Sequence, residues 1–319
     1  MVWKDIAKDH GDPLIHIFAY TSAVVDLLDP PLSRSHASWV VELRDKNMRW
    51  CGKENEFKEF GAEVLNKLGD EETGFFELVE RESRRTMNEL RERGFAVRDA
   101  PLKSFTNEDL ASEFERLYET WRHASKWGHI VNLADFEHFE LTNKIMAFIK
   151  KRVAENNCLN KNEAIVPEAF SVLTTPLEKN PFLLQDEAFF ELLAKIQSNV
   201  DCEQLFKTKP AKTILKEVEA FPEVDRALHE HVREYDWLQY QYSGPTILDE
   251  AFFVKALASE AKKGVNAREK IKELTKKTID LREKQIALCK QLRLTESEQR
   301  WLKIARSFMF LKAVRKDIV

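Results

Sequence analysis

Residues 271–292 read IKELTKKTIDLREKQIALCKQL. Ile271, Thr278, Gln285 and Leu292 recur every seven residues, and Leu274, Leu281 and Leu288 form a second heptad series three residues on. Together they make an a/d seam over three heptads, with polar Thr278 and Gln285 at two a positions. Thr295-Glu-Ser-Glu298 follows at once and matches a capping box, the start signal of a new helix. Its apolar stripe is Trp301, Ile304, Ala305, Phe308, Leu311 and Val314. Two helices joined by so short a link predict an antiparallel helix hairpin over about 266–316.

The composition extends that reading upstream. The 319 residues contain nine Gly and ten Pro, well below ordinary usage, so turns are few and elements long. With 43% hydrophobic and 33% charged residues, the chain has enough apolar surface for a full core. The expected class is mainly α, multi-helical, with one small β-hairpin near the N-terminus. The hairpin is read at about 38–51, where the β-branched and aromatic runs SWVVEL and MRWC flank Asp45-Lys46-Asn47. The first thirty residues read as helix, with Trp3, Ile6, Ile15, Phe18, Val25 and Leu28 apolar, and Pro30-Pro31 as the stop. Helical periods resume with Phe57, Phe60, Val64 and Leu68, and again from Phe75 to Leu90, with Gly94 as the expected C-cap. The aperiodic stretch Phe95 to Phe105 predicts a boundary, giving an N-terminal unit 1–100 and a helical domain 101–319.

Several function classes drop out. No apolar run reaches the roughly 18 residues of a membrane span, and MVWKDIAKDHGDPL has no signal-peptide pattern. Cys51, Cys158, Cys202 and Cys289 are far apart, which favours free buried thiols, no structural zinc and a cytoplasmic chain. Glycine-rich phosphate loops and a GxSxG elbow are absent, which argues against a P-loop NTPase, a dinucleotide-binding domain and an α/β hydrolase. The net charge of −4 hides a basic end: Gly264 to Val319 carries 15 Lys and Arg against 7 Asp and Glu. Those charges are interleaved, so the segment reads as a solvated helix face, and nucleic acid is not expected as a partner.

One segment stands apart for chemistry: His229-Glu-His231-Val-Arg-Glu-Tyr235-Asp-Trp237-Leu-Gln-Tyr240-Gln-Tyr242-Ser-Gly244-Pro245. Aromatics with polar tips at an irregular turn can line a small-molecule pocket, or simply pack a helix end. His229 and His231 are two apart and face different ways on a helix, so they make no metal pair. His123 and His129, flanking Trp121 and Trp127, read as surface or interface histidines, with His138 further on. Carboxylate pairs such as Glu71-Glu72 lie in charge-rich faces, and no general acid or base is assigned.

Four places carry a family resemblance. Trp3 with Met48-Arg-Trp50-Cys51 after the hairpin is the first, and Ala169-Phe-Ser-Val-Leu173-Thr-Thr175-Pro176 before the acidic pair Asp186-Glu187 is the second. The third is His231 to Pro245, of the form H-x-x-x-Y-x-W-L-x-Y-x-Y-x-G-P, and the fourth is Phe310-Leu311-Lys-Ala-Val-Arg315-Lys316. In that order, over nearly the whole length, the chain resembles the helical central region of the phosphoenolpyruvate-utilising phosphotransferases. That group includes phosphoenolpyruvate synthase, pyruvate phosphate dikinase and the rifampicin phosphotransferase type. The family's mobile phosphohistidine motif, T-x-G-G-x-x-S-H, is absent, as are the loops of its ATP-grasp domain.

The resemblance therefore implies an acceptor-binding or docking module with no catalytic His or nucleotide site of its own, inactive as this chain alone. Its implied partners are a phosphohistidine domain or ATP-grasp subunit, on the same or a separate chain, and a small-molecule acceptor. ATP or phosphoenolpyruvate with Mg would serve the complete enzyme, and this chain would hold no cofactor. The substrate-binding residues implied are His231, Tyr235, Trp237, Tyr240, Tyr242 and Arg315. The alternative is a non-enzymatic helical protein-interaction scaffold, with the seam of Ile271 to Leu292 as its partner surface.

Overall fold

A three-stranded antiparallel sheet opens the structure. β1 (Trp3–His10), β2 (Trp39–Arg44) and β3 (Asn47–Lys53) lie in the order β1-β3-β2. The computed structural model describes residues 3–10, 14–37, 39–44, 47–136, 139–155, 165–238 and 248–318. The β2–β3 hairpin forms where expected. Residues 3–10 correct the helical reading of the N-terminus: they pair with β3 from Trp3↔Lys53 to His10↔Asn47, with an irregularity between Asp5 and Ala7. A two-stranded hairpin leaves both of its edges open, and β1 fills the β3 edge with backbone hydrogen bonds that no local side-chain period announces.

The helices are α1 (Leu14–Asp26), α2 (Glu54–Gly69), α3 (Phe75–Asp99), α4 (Asn107–Leu133), α5 (Glu140–Glu155), α6 (Ile165–Thr174), α7 (Pro181–Gln197), α8 (Val200–Thr208), α9 (Ala211–Glu217), α10 (Pro222–Tyr235), α11 (Glu250–Lys262), α12 (Ala267–Gln291) and α13 (Glu296–Ile318). Capping accounts for many starts. Thr106 and Asp109 form the complete capping box of α4, Asn180, Asn199 and Asp249 cap α7, α8 and α11, and Pro stands in the first turn of α7 and α10.

The chain divides into two units, and not at residue 100. Unit 1 comprises residues 1–176 and 285–319, and unit 2 comprises residues 177–284. α3 continues through Gly94 to Asp99, and α4 packs back along it, so the aperiodic stretch is the end of α3 and an exposed turn within one unit. α13 closes the same core by packing on α3, α4, α5 and α6. Phe60, Phe76, Met87, Ile130, Leu133, Ile145 and Phe308 are fully buried at its centre. Arg152 grips the Glu298 carboxylate with Nε and Nη2 at 3.0–3.1 Å, and Ser307 donates to Glu80 at 2.8 Å.

The polar a position Gln285 has a defined job in unit 1. It is buried, and its amide donates to the carbonyls of Val172 at 2.9 Å and Thr175 at 2.8 Å. It thereby satisfies the open C-terminal carbonyls of α6, which an apolar residue could not do. In unit 2, Leu193, Ile196, Cys202, Phe206, Ile214, Val254 and Leu257 form the core. Gln197 ties its ends together, donating to Val265 O at 2.7 Å and accepting from Ala267 N at 3.1 Å. Among the described residues, no helix is long and apolar enough to cross a membrane.

Candidate functional site

The polar heart of unit 1 starts from two helix faces. α4 presents Trp121, Ser125, His129 and Asn132 at steps of four, four and three, and α1 presents His16 and Tyr20 at a step of four. Residues at such steps share one side of a helix. The turn after α1 delivers the next imidazole. Ser35 Oγ accepts from the backbone N–H of Leu28, and His36 N–H donates to Val24 O at 3.0 Å, which fixes His36 beside α1. β2 and β3 add Trp39 and Trp50, α2 adds Glu56 and Phe57, and α13 adds Arg315. Gly128 is the residue that admits α13 here: a Cβ at that position would collide with Cδ of Arg315.

These side chains form one continuous hydrogen-bonded chain. Tyr20 Oη lies 2.7 Å from His129 Nδ1, His129 Nε2 lies 3.0 Å from His36 Nε2, and His36 Nδ1 lies 3.1 Å from Glu56 Oε2. Asn132 and Arg315 meet the Tyr20 oxygen at the far end. With Glu56 as a carboxylate and both imidazoles neutral, one arrangement satisfies every link. His36 Nδ1–H donates to Glu56, His129 Nε2–H donates to His36 Nε2, and the Tyr20 hydroxyl donates to His129 Nδ1. All donation runs from the Arg315 end toward the Glu56 end.

The surroundings keep the imidazoles neutral. Burial, then the charge of Arg315, pushes His16 down to about 4. Burial, then His36 and Arg315, holds His129 well below its ordinary value. Burial also lowers His36, against the opposing pull of Glu56. Burial raises Tyr20 and outweighs Arg315 and the hydrogen bonds to its oxygen. The walls are aromatic: Trp39 stands 5.3 Å from His36 and 5.6 Å from His129, Trp50 stands 5.3 Å from Tyr20, and Trp121 stands 5.6 Å from His16. Trp39 Nε1, Trp121 Nε1, Ser125 Oγ and Arg315 Nε are buried with no hydrogen-bond partner in the protein. Buried donors without acceptors are costly, so this core carries polar strain around the chain.

At its Glu56 end the chain reaches the surface. Glu56 helps line a cleft of about 530 Å³ with Arg34, Lys53, Glu54, Lys58 and Glu59. Lys53 Nζ lies 3.5 Å from Glu56 Oε1. Arg34 pairs with Glu59, and Lys58 pairs with Glu54 at 2.9 Å.

The residues singled out from the sequence fall in both units. His231, Tyr235 and Trp237 belong to unit 2, where burial lowers His231 to about 4. The His231 ring packs 4.9 Å from both Tyr235 and Phe253, and Trp237 Nε1–H donates to Glu234 O at 2.7 Å, closing the end of α10. Tyr240 and Tyr242 lie outside the described residues, as do Cys158 and His138. Arg315 belongs to unit 1, on Tyr20. His129 corrects its reading as a surface or interface histidine: it is fully buried at the centre of the chain. His229 is exposed and bonds Glu250 at 3.1 Å.

His16, Tyr20, His36 and Glu56 were not singled out by sequence. The four-residue steps on α1 and α4 were the available signal, whereas nothing local marks His36. Among the described residues, no group of three or more His, Cys, Asp or Glu side chains could hold a metal ion. Comparison with family models, with curated proteins and with solved structures finds no match.

Proposed function

We propose that this chain is the acceptor-side module of a phosphohistidine phosphotransfer system: it binds the acceptor and receives a phosphoryl-carrying domain without carrying phosphate itself. The observation that carries this reading is the hydrogen-bonded chain joining half-buried Arg315 to Glu56 at an open cleft. Two of the segments that resemble the phosphoenolpyruvate-utilising phosphotransferases supply its far end. Trp50 comes from the first and Arg315 from the last, and both lie on Tyr20. Arg315 then acts as an anchor that orders the chain, since a planar guanidinium holds a fixed geometry that a lysine ammonium does not.

The test is transfer from a phosphohistidine domain of such an enzyme to small acceptors, with and without the full chain. Arg315→Met should reduce transfer at least about tenfold while the circular dichroism stays unchanged, and Arg315→Lys should restore part of it. Transfer that ignores Arg315 and instead requires Trp237 would move the site to unit 2. No transfer with any donor would overturn the reading.

One feature favours a scaffold as the second reading. Ile279 and Ile286 on α12 are 52% and 50% exposed. A stoichiometric protein partner that is lost on Ile279→Lys and Ile286→Lys would support it.

A further inference from the structure

We propose that the cleft walled by Arg34, Lys53, Glu54, Glu56, Lys58 and Glu59 is where the acceptor binds, that the acceptor is a small anion bearing a free hydroxyl, and that Glu56 is the base that takes the hydroxyl proton. This rests on the phosphotransfer reading above and deepens it. Glu56 alone belongs both to the cleft and to the buried chain. Its side chain is 8% exposed, against 54% for Arg34 and 49% for Lys58 at the rim. A recessed carboxylate beneath exposed cations suits a ligand with an anionic group at one end and a donor at the other.

The Arg34–Glu59 pair at the rim is exposed on both sides, and such pairs hold their partners weakly. A ligand anion can replace Glu59 on Arg34 without burying a new charge. Glu56 is different, because His36 Nδ1–H holds one of its oxygens and Lys53 stands by the other. That grip fixes the carboxylate for a proton transfer and makes His36 a positioning residue.

The step balances simply. The ligand O–H bond breaks and the proton passes to a Glu56 oxygen. The freed electron pair on the ligand oxygen attacks the phosphorus of the phosphohistidine brought by the partner domain. The P–N bond breaks, and its electron pair stays on the imidazole.

The experiment is calorimetric titration of the full chain with glycerol 3-phosphate, glycerate and inorganic phosphate. The hydroxyl-bearing anions should bind saturably and more tightly than phosphate. Lys53→Met or Arg34→Met should weaken them at least about tenfold, and Glu56→Gln should keep binding but abolish transfer. Absence of saturable binding by all three overturns the proposal, as does binding indifferent to Arg34 and Lys53. Because Arg34 is exposed, its loss leaves the core intact, so a negative result there is not a folding failure. Transfer that survives Arg34→Met and Lys53→Met overturns the cleft and leaves the phosphotransfer reading standing. Cleft binding with no transfer from any phosphohistidine donor overturns that reading and the base role of Glu56.

Discussion

His36 and His129, 93 residues apart in sequence, face each other through their Nε2 atoms at 3.0 Å. Two like nitrogens can share a hydrogen bond only if one imidazole is protonated there and the other is not. The outer partners decide which. Glu56 accepts from His36 Nδ1–H, which leaves His36 Nε2 as an acceptor and His129 Nε2 as the donor. Nitrogen NMR on histidine-labelled protein at neutral pH should therefore find His36 as the Nδ1–H tautomer and His129 as the Nε2–H tautomer. The reverse assignment at either ring would break the directional chain.

Acid should weaken the fold through these same rings. His16, His36 and His129 in unit 1 and His231 in unit 2 all have lowered pKa values, chiefly from burial. Each therefore binds its proton more readily in the unfolded chain. Their contribution is intact above the ordinary value of 6.5 and is lost progressively as pH falls toward 4. For His16 alone, a drop from 6.5 to about 4 corresponds to about 3 kcal/mol at the acid end. The carboxylates with lowered pKa, Glu63 and Glu298 among them, titrate at or below their ordinary carboxylate values, 4.5 for these two. Urea unfolding should thus lose stability between pH 6.5 and 5, before those carboxylates titrate. A flat profile there would contradict neutral buried imidazoles.

Gln285 and Thr278 occupy the same heptad position but should respond unequally. Gln285→Leu removes three hydrogen bonds: the Val172 and Thr175 carbonyls lose their donor, and Arg306 loses the Gln285 Oε1 acceptor. The expected cost is about 2–4 kcal/mol, even though leucine is the better a residue in a plain coiled coil. Thr278 is half-buried and only reaches back to Leu274 O at 3.5 Å, so Thr278→Leu should stay within about 0.5 kcal/mol. Equal effects would mean that the seam, and not the cap on α6, sets the stability.

What the sequence made legible follows from what each feature depends on. The C-terminal helices α12 and α13, the capping boxes and the β2–β3 hairpin are local, and each appears where its own residues place it. Gln285 was visible as a polar a position, but its purpose depends on α6, more than a hundred residues upstream. β1 was missed because its partner is β3, some forty residues on, and its own apolar residues happen to fit a helical period. The site was missed for the same reason on a larger scale. Its chain is assembled from α1, the following turn, α2, α4 and α13, and only tertiary packing makes His129 central instead of peripheral. The unusual residues of the aromatic segment are adjacent in sequence, which is no measure of whether they converge in space.

Two glycines on neighbouring helices give a final paired test. Gly94, expected to cap α3, lies inside it with helical backbone, and a Cβ there would meet nothing within 4 Å. Gly94→Ala should therefore stabilise by about 0.5–1 kcal/mol, because alanine loses less backbone freedom on folding into a helix. Gly128, on α4, gains the same helical benefit in principle, but its Cβ would displace Arg315. Arg315 can leave Tyr20 only by taking its guanidinium from a buried oxygen, and overpacking of this kind costs about 1–3 kcal/mol. Gly128→Ala should then be destabilising overall and should move the Tyr20 and His129 resonances, whereas Gly94→Ala leaves both in place. If Gly128→Ala stabilises as Gly94→Ala does, Arg315 does not pass over α4 at this point, and the chain from Tyr20 to Glu56 loses its anchor.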